Sequence, residues 1–181
     1  MIYLHLLSQA CEAAGKSTLD DRWTITPVGG ADKLSTFVSL LGSNQLNTAV
    51  LMDSNSKDKP RVQGLQQNGY LGNKSLILIS DITGQPDSDV EDLFDPGFYL
   101  SLVNGAYGLG IKVNDLTSPG GRVTARVEQH FRANNIAGGR LNQYKSSAYF
   151  LREQASLLPK LTSATLDRAS QLFDRINTQL T

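Results

Sequence analysis

The chain has 181 residues, with 17 Lys plus Arg against 17 Asp plus Glu, so its formal net charge is zero. A hydrophobic share of 40% beside 19% charged residues excludes a disordered chain and allows a buried core. The charge balance argues against a uniformly basic nucleic-acid surface and leaves room only for a local basic patch.

A single cysteine, Cys11, rules out an internal disulfide and fits a reducing compartment. Its place in a helical pattern makes it a small buried residue before it is a reactive thiol. The two histidines, His5 and His130, are far apart and have no cysteine companions, which argues against zinc. The opening "MIYLHLLSQA" has no basic leader and no long apolar stretch. It reads as neither a signal peptide nor a membrane span, and a cytoplasmic location without membrane partners is expected.

In chain order, residues 2–14 space Ile2, Leu4, Leu6, Leu7 and Ala10 as a helix, with Gly15 as its stop. A helix at the second residue has no preceding strand, which is unusual for an α/β fold. Residues 23–28, "WTITPV", are β-branched and aromatic and predict a strand. Asp32 is placed to cap a helix over 33–41, ended by Gly42. A second strand follows over 48–52, ending at Asp53 and the polar loop "SNSKDKP". Pro60 then starts a helix running to Gly69. The unbroken apolar run at 76–79 predicts a third, fully buried strand of the parallel type. Strands about 25 residues apart with helices between them are the pattern of βαβ units.

After Ser80 the pattern becomes helical. An acid-rich stretch runs from Asp81 to Asp95, followed by helices over about 96–107, 122–133, 144–158 and 163–180. The expected fold class is therefore α/β. A parallel-sheet core over 1–110 is followed by a helical C-terminal extension over 111–181.

Asp53 closes a buried strand, and open parallel sheets place ligands at that strand end. Asp89 and Glu91, in "DSDVEDLFD", follow the next strand and emerge on the same edge. If the chain there is extended, their side chains point the same way. Mg²⁺ and Mn²⁺ take oxygen ligands, commonly one or two carboxylates with water and phosphate, so Asp53, Asp89 and Glu91 form a candidate metal set. Lys145, in "LNQYKSSAYFLRE", is a candidate stabiliser of charge on a phosphate. The plainer alternatives stay open: solvated loop acids, acids favouring a helix N-terminus, and an exposed helix lysine. Gly29-Gly30 and Gly120-Gly121 lack the spacing of a P-loop or dinucleotide fingerprint and read as turns.

The succession "WTITPVGGADKLSTFVSLLG", "TAVLMDSN" and "SDVEDLFDPGFYLSLVNGAY" resembles the C-terminal TOPRIM nuclease domain of the OLD (overcoming lysogenization defect) family. The resemblance covers roughly residues 1–155. It implies a Rossmann-like TOPRIM core that binds two divalent metals, Mg²⁺ or Mn²⁺, and hydrolyses DNA phosphodiesters as an endonuclease. On that resemblance Asp53 matches the first acid of an Asp-x-Asp motif. Asp89 and Glu91 match the acids before "DLF", and Lys145 matches a catalytic lysine less closely.

Two departures go with it. The family's first strand and its Glu-Gly-x-x-Asp motif would precede the present residue 2, so the core is expected to be truncated. The second acid of Asp-x-Asp is replaced by Asn55, whose amide oxygen can reach a metal but carries no charge. Weak metal binding and impaired catalysis are the expectation. The alternative is a non-catalytic remnant or interaction domain that forms a homodimer or takes a missing strand from a partner.

Overall fold

Leucine and aromatic side chains at helical spacing decide most of the architecture, and among the described residues β-structure is confined to two short segments. A computed structural model describes residues 1–29, 31–42, 46–55, 64, 75–116 and 121–180. The fold is mixed α/β, with a small parallel sheet beside a larger helical body.

Helix α1, Ile2–Ala13, buries Tyr3, Leu6, Leu7, Ala10 and Cys11 along one face. Gly15, at a φ of 66°, turns the chain after it, a conformation that a side chain would resist. The α1 face packs on α8, Ser163–Asn177, which buries Ala169, Leu172, Phe173 and Ile176 at the matching period. Helices α4, Pro96–Tyr107, and α6, Gln143–Arg152, pack closely on one another, and α6 also contacts α1. Helix α5, Val123–Ala133, closes the group by burying Val123, Val127 and Phe131. Residues from both sides of position 110 contribute to this one apolar cluster, from Tyr3 to Ile176. Its aromatic centre is Tyr3, Phe94, Phe98 and Phe150, with ring centroids 5.1–6.4 Å apart. Edge-to-face pairs of this kind add about 0.5–1.5 kcal/mol each beyond area burial.

The segment after α1 is strapped along α8 by polar bonds. Lys16 pairs with Asp167 at 2.6 Å, the Ser17 amide donates to Ser170 Oγ, and Asn177 Nδ2 donates to the Thr18 carbonyl. The expected strand over 23–28 is a correction: among the described residues it pairs with no other strand and stays irregular. Pro27 removes one ladder donor, and Trp23 and Ile25 pack on the helical cluster as single side chains rather than as one sheet face.

Helix α2, Ala31–Gly42, starts earlier than expected, so Asp32 falls inside its first turn instead of before it. The two strands among the described residues are β1, Val50–Met52, and β2, Leu76–Leu78, paired in parallel with Val50 opposite Leu76 and Met52 opposite Leu78. Leu34 of α2 joins Val50 and Leu76 in a second, small apolar cluster supported by Val28, Met52 and Leu78. The helix expected over 60–69 lies, apart from Gly64, outside the described residues.

A short helix not foreseen from the sequence, α3, Ser80–Thr83, follows β2 directly and ends at Gly84 in the left-handed region. A 3-10 turn, Val90–Leu93, then leads through Asp95 and Pro96 into α4. Pro96 occupies the first helical position, where a missing N–H costs nothing. The helix expected over 144–158 divides at Glu153 into α6 and a short α7, Gln154–Leu157.

Candidate functional site

Backbone pairing carries Asp53 to the acid-rich turn. After β1 the chain makes an isolated antiparallel bridge between Ser54 and Ser88, with N–H···O distances of 2.7 and 2.9 Å. Ser54 Oγ accepts from the Ser80 amide at 2.8 Å, so one buried serine joins β1, α3 and the acid segment. Asp53 Oδ1 then accepts the Val90 N–H at 3.0 Å. The sequence expectation that Asp53 and the 87–95 segment share one edge therefore holds.

Asp89 and Glu91 do not point the same way along an extended chain, which corrects the sequence reading. Asp89 precedes the 3-10 turn and Glu91 lies inside it, and a three-residue period sends the two side chains in different directions. Asp89 Oδ1 accepts from Arg122 Nη1 at 3.0 Å, and its other oxygen accepts from the Thr124 hydroxyl. Asp92 spends both oxygens on backbone, taking the Asp89 N–H and the Val123 N–H, each at 2.8 Å. These bonds fix the turn against the start of α5.

Glu91 is only 4% exposed, and burial pushes its carboxyl up to about 8. Its own amide opposes the shift, while Asp53, Asp89 and Asp92 add to it. Asp53 keeps an outer edge open to solvent, yet desolvation of its carboxyl and the nearby Asp89 push it upward. The Val90 N–H and Arg122 pull against that without reversing it. Asp92 is also raised, by burial first, against the pull of its two amide donors. Three acids on one turn-and-strand junction thus hold protons more tightly than free carboxyls do.

Beneath Glu91, burial and then its charge push the Tyr3 and Tyr99 phenols above their ordinary range. Among the described residues, the Tyr3 hydroxyl is buried without a hydrogen-bond partner, and the buried Tyr99 and Ser146 hydroxyls have only one another as neighbours. A second acid of the same segment behaves oppositely. Asp95 accepts from Arg168 Nη2 at 2.9 Å and from the Thr162 hydroxyl, while Arg168 Nε donates to the Leu93 carbonyl at 2.8 Å. Burial raises the Asp95 carboxyl, but these donors outweigh it and hold it below the usual range. The Asp95–Arg168 pair anchors the acid turn to α8.

Asn55 lies just past the Ser54–Ser88 bridge, half-buried. Lys145 is exposed, with Nζ 5.0 Å from the centre of the Tyr107 ring. Tyr107 is the last residue of α4, and Asp95 precedes its first. The contacts of Lys145 therefore belong to the opposite end of a helix roughly 18 Å long. No hydrogen bond or ion pair among the described residues joins it to Asp53, Asp89 or Glu91.

Sequence reasoning missed Arg122 and Thr124, the partners of Asp89. One signal was present: an arginine at the start of a helix opposes the helix dipole and needs an acid to hold it there. Among the described residues, no three His, Cys, Asp or Glu side chains converge in metal-holding geometry. Asp53 and Glu91 are the carboxylates of the candidate set that form no ion pair with Arg122 among the described residues. No described helix is long and apolar enough to cross a membrane. Comparison with known proteins brings out no matching family model, no similar curated protein and no similar solved structure.

Proposed function

We propose that the chain is a nuclease-related domain of TOPRIM type whose carboxylate cluster takes up a divalent cation and acts on DNA phosphodiesters. The observation that carries this reading is the convergence of Asp53 with the 89–92 turn, fixed by the Ser54–Ser88 bridge, in which Asp53, Glu91 and Asp92 are all shifted toward protonation. Crowded carboxyls with raised pKa values gain from any cation that relieves their repulsion, whether a proton or a metal. Hard oxygen donors suit Mg²⁺ or Mn²⁺.

The donor set fits such an ion in part. Asp53 and Glu91 would hold it and Asn55 would add a neutral oxygen, while Asp89 remains committed to Arg122 and Thr124. A bound cation would polarise a phosphodiester oxygen and lower the pKa of an attacking water. With two carboxylates the affinity is weak and improves when a substrate phosphate joins, as is usual for Mg²⁺. Lys145 is left out of the phosphate-stabilising role because its contacts lie at the Tyr107 end of α4.

Mn²⁺ at millimolar concentration is expected to raise the melting temperature, and Asp53→Ala is expected to remove that rise. Calorimetry that detects no heat of binding at millimolar Mn²⁺ overturns the metal reading. A plasmid-nicking assay with and without Mn²⁺ then tests hydrolysis itself.

A second reading has its own support in Arg122. The guanidinium already compensates Asp89 from inside the protein, which is what a non-catalytic relative would need to stay folded without metal. In that reading the domain serves interaction, as a homodimer or by accepting a partner's strand beside its two-stranded sheet. Sedimentation separates the two: a metal-indifferent dimer favours interaction, and a metal-stabilised monomer favours the nuclease-related reading.

A further inference from the structure

A cleft of about 530 Å³ opens away from the carboxylates, between the end of α4 and the start of α6. Tyr107, Arg140, Asn142, Gln143, Tyr144 and Lys145 supply its chemistry. Two cations stand in it, and among the described residues neither Arg140 nor Lys145 is ion-paired with a carboxylate. Most described arginines pair with acids, so Arg140, left open next to the exposed Lys145, makes this cleft locally positive.

Two tyrosines sit beside these cations. Tyr107 is built in: its ring packs edge-on against Phe131 at 5.1 Å and its hydroxyl accepts the Asn142 N–H at 2.8 Å. It holds Lys145 over its face. Tyr144 is the reverse, 70% exposed with no ring partner among the described residues. Ala137 also lines the cleft, from a tight run of left-handed residues in which Asn135 and Ala137 take φ of 52° and 48° without being glycine. Such conformations cost on the order of 1 kcal/mol each and persist where the surroundings impose them.

We propose that this cleft binds one nucleotide unit, with Arg140 and Lys145 on the phosphate, Tyr144 stacked on the base, and the Asn142 and Gln143 amides at its polar edge. A free aromatic face beside unpaired cations is the combination by which proteins hold single-stranded nucleic acid without reading its sequence. The shared chemistry, a phosphate with an attached base, comes either from a single strand or from a free nucleotide. The proposal stands on the cleft alone and needs neither the carboxylates nor a metal.

The test is fluorescence anisotropy of a labelled oligothymidylate of about 12 nucleotides with the full chain, in EDTA and at low salt. EDTA separates this result from the metal reading, since neither outcome decides the other. Binding that weakens steeply with salt is expected. Tyr144→Ala, a change at an exposed ring, is expected to weaken it about tenfold. The Arg140→Gln, Lys145→Gln double variant is expected to weaken it and to flatten its salt dependence. Competition by thymidine 5′-monophosphate means that the terminal nucleotide is read, and its failure to compete means that a continuous strand is required. No anisotropy change up to ~100 µM protein overturns the proposal. So does binding that both variants leave unaltered.

Discussion

Glu91 and Asp95 sit four positions apart on one acid-rich segment, and the protein treats them oppositely. Asp95 meets Arg168, Thr162 and Thr165 and is held below the usual carboxylate range. Glu91 meets two buried tyrosines and three other acids and is pushed up to about 8. The difference shows which half of the segment serves architecture. Asp95 is a satisfied anchor between the turn and α8, whereas Glu91 is a buried carboxyl that holds its proton because burial and neighbouring acids disfavour its charge. Perturbation by burial beside like charge is the more frequent mark of a functional position.

The contrast predicts opposite pH limbs. With a folded pKa raised above the unfolded value, Glu91 binds more protons in the native state, so stability falls as pH rises from about 4.5 toward 8. Asp53 and Asp92, shifted in the same direction, add to that fall. Asp95, with its folded pKa lowered, contributes stability that is present above the unfolded value near ~4 and is lost as pH falls through the folded one.

The largest expected effect is therefore in urea denaturation as a function of pH. The wild type should lose on the order of 3 kcal/mol between pH 5 and pH 9. Glu91→Gln should flatten most of that slope and be the more stable protein at pH 9. An unchanged slope would remove Glu91 from the account. Next in size, Arg168→Met should lower stability by roughly 2 kcal/mol at neutral pH, because it strips a charged donor from Asp95 and from the Leu93 carbonyl. In that variant the acid limb should shrink and the alkaline limb persist, which is a sharp check on the separation of the two acids.

Arg122→Gln should cost less, about 1 kcal/mol, since the Thr124 hydroxyl still meets Asp89. It should also enlarge the Mn²⁺-induced rise in melting temperature, because an internal competitor for the carboxylates is gone. A smaller rise would favour the non-catalytic reading. The smallest effect is expected at Tyr99→Phe. It deletes a buried hydroxyl whose one neighbour among the described residues is the Ser146 hydroxyl, which is left without it, so the change should be small, within about 1 kcal/mol of neutral.

How much of this was legible in the sequence follows from which forces are local. The helices at 2–13, 96–107, 123–133 and 163–177 were readable because their apolar period and Gly or Pro punctuation are contained within each segment. The strands at Val50 and Leu76 were readable as apolar runs with turn signals. The segment 23–28 was not, because β-branched residues report a preference for an extended chain, and pairing needs a neighbour the sequence cannot name. At the site, Asp53 and the 89–92 turn could be placed on one edge from topology alone. That Asp89 belongs to Arg122 could not be, since the two are 33 positions apart and meet only after α5 docks. The opposite fates of Glu91 and Asp95 were equally hidden, because they depend on Tyr3, Tyr99 and Arg168, which come from three different helices.

The polar straps and apolar seam between α1 and α8 also bear on the order of assembly. The Cys11 thiol faces the Leu166 carbonyl across 155 positions of chain, and Asn177 holds Thr18 across 159. During synthesis α1 emerges long before α8, so Leu6, Leu7 and Cys11 stay uncovered while the chain between them is made. Contacts of such long separation slow folding, because the intervening chain must be closed before they contribute. Until α8 arrives, the α1 stripe is open to aggregation or chaperone capture.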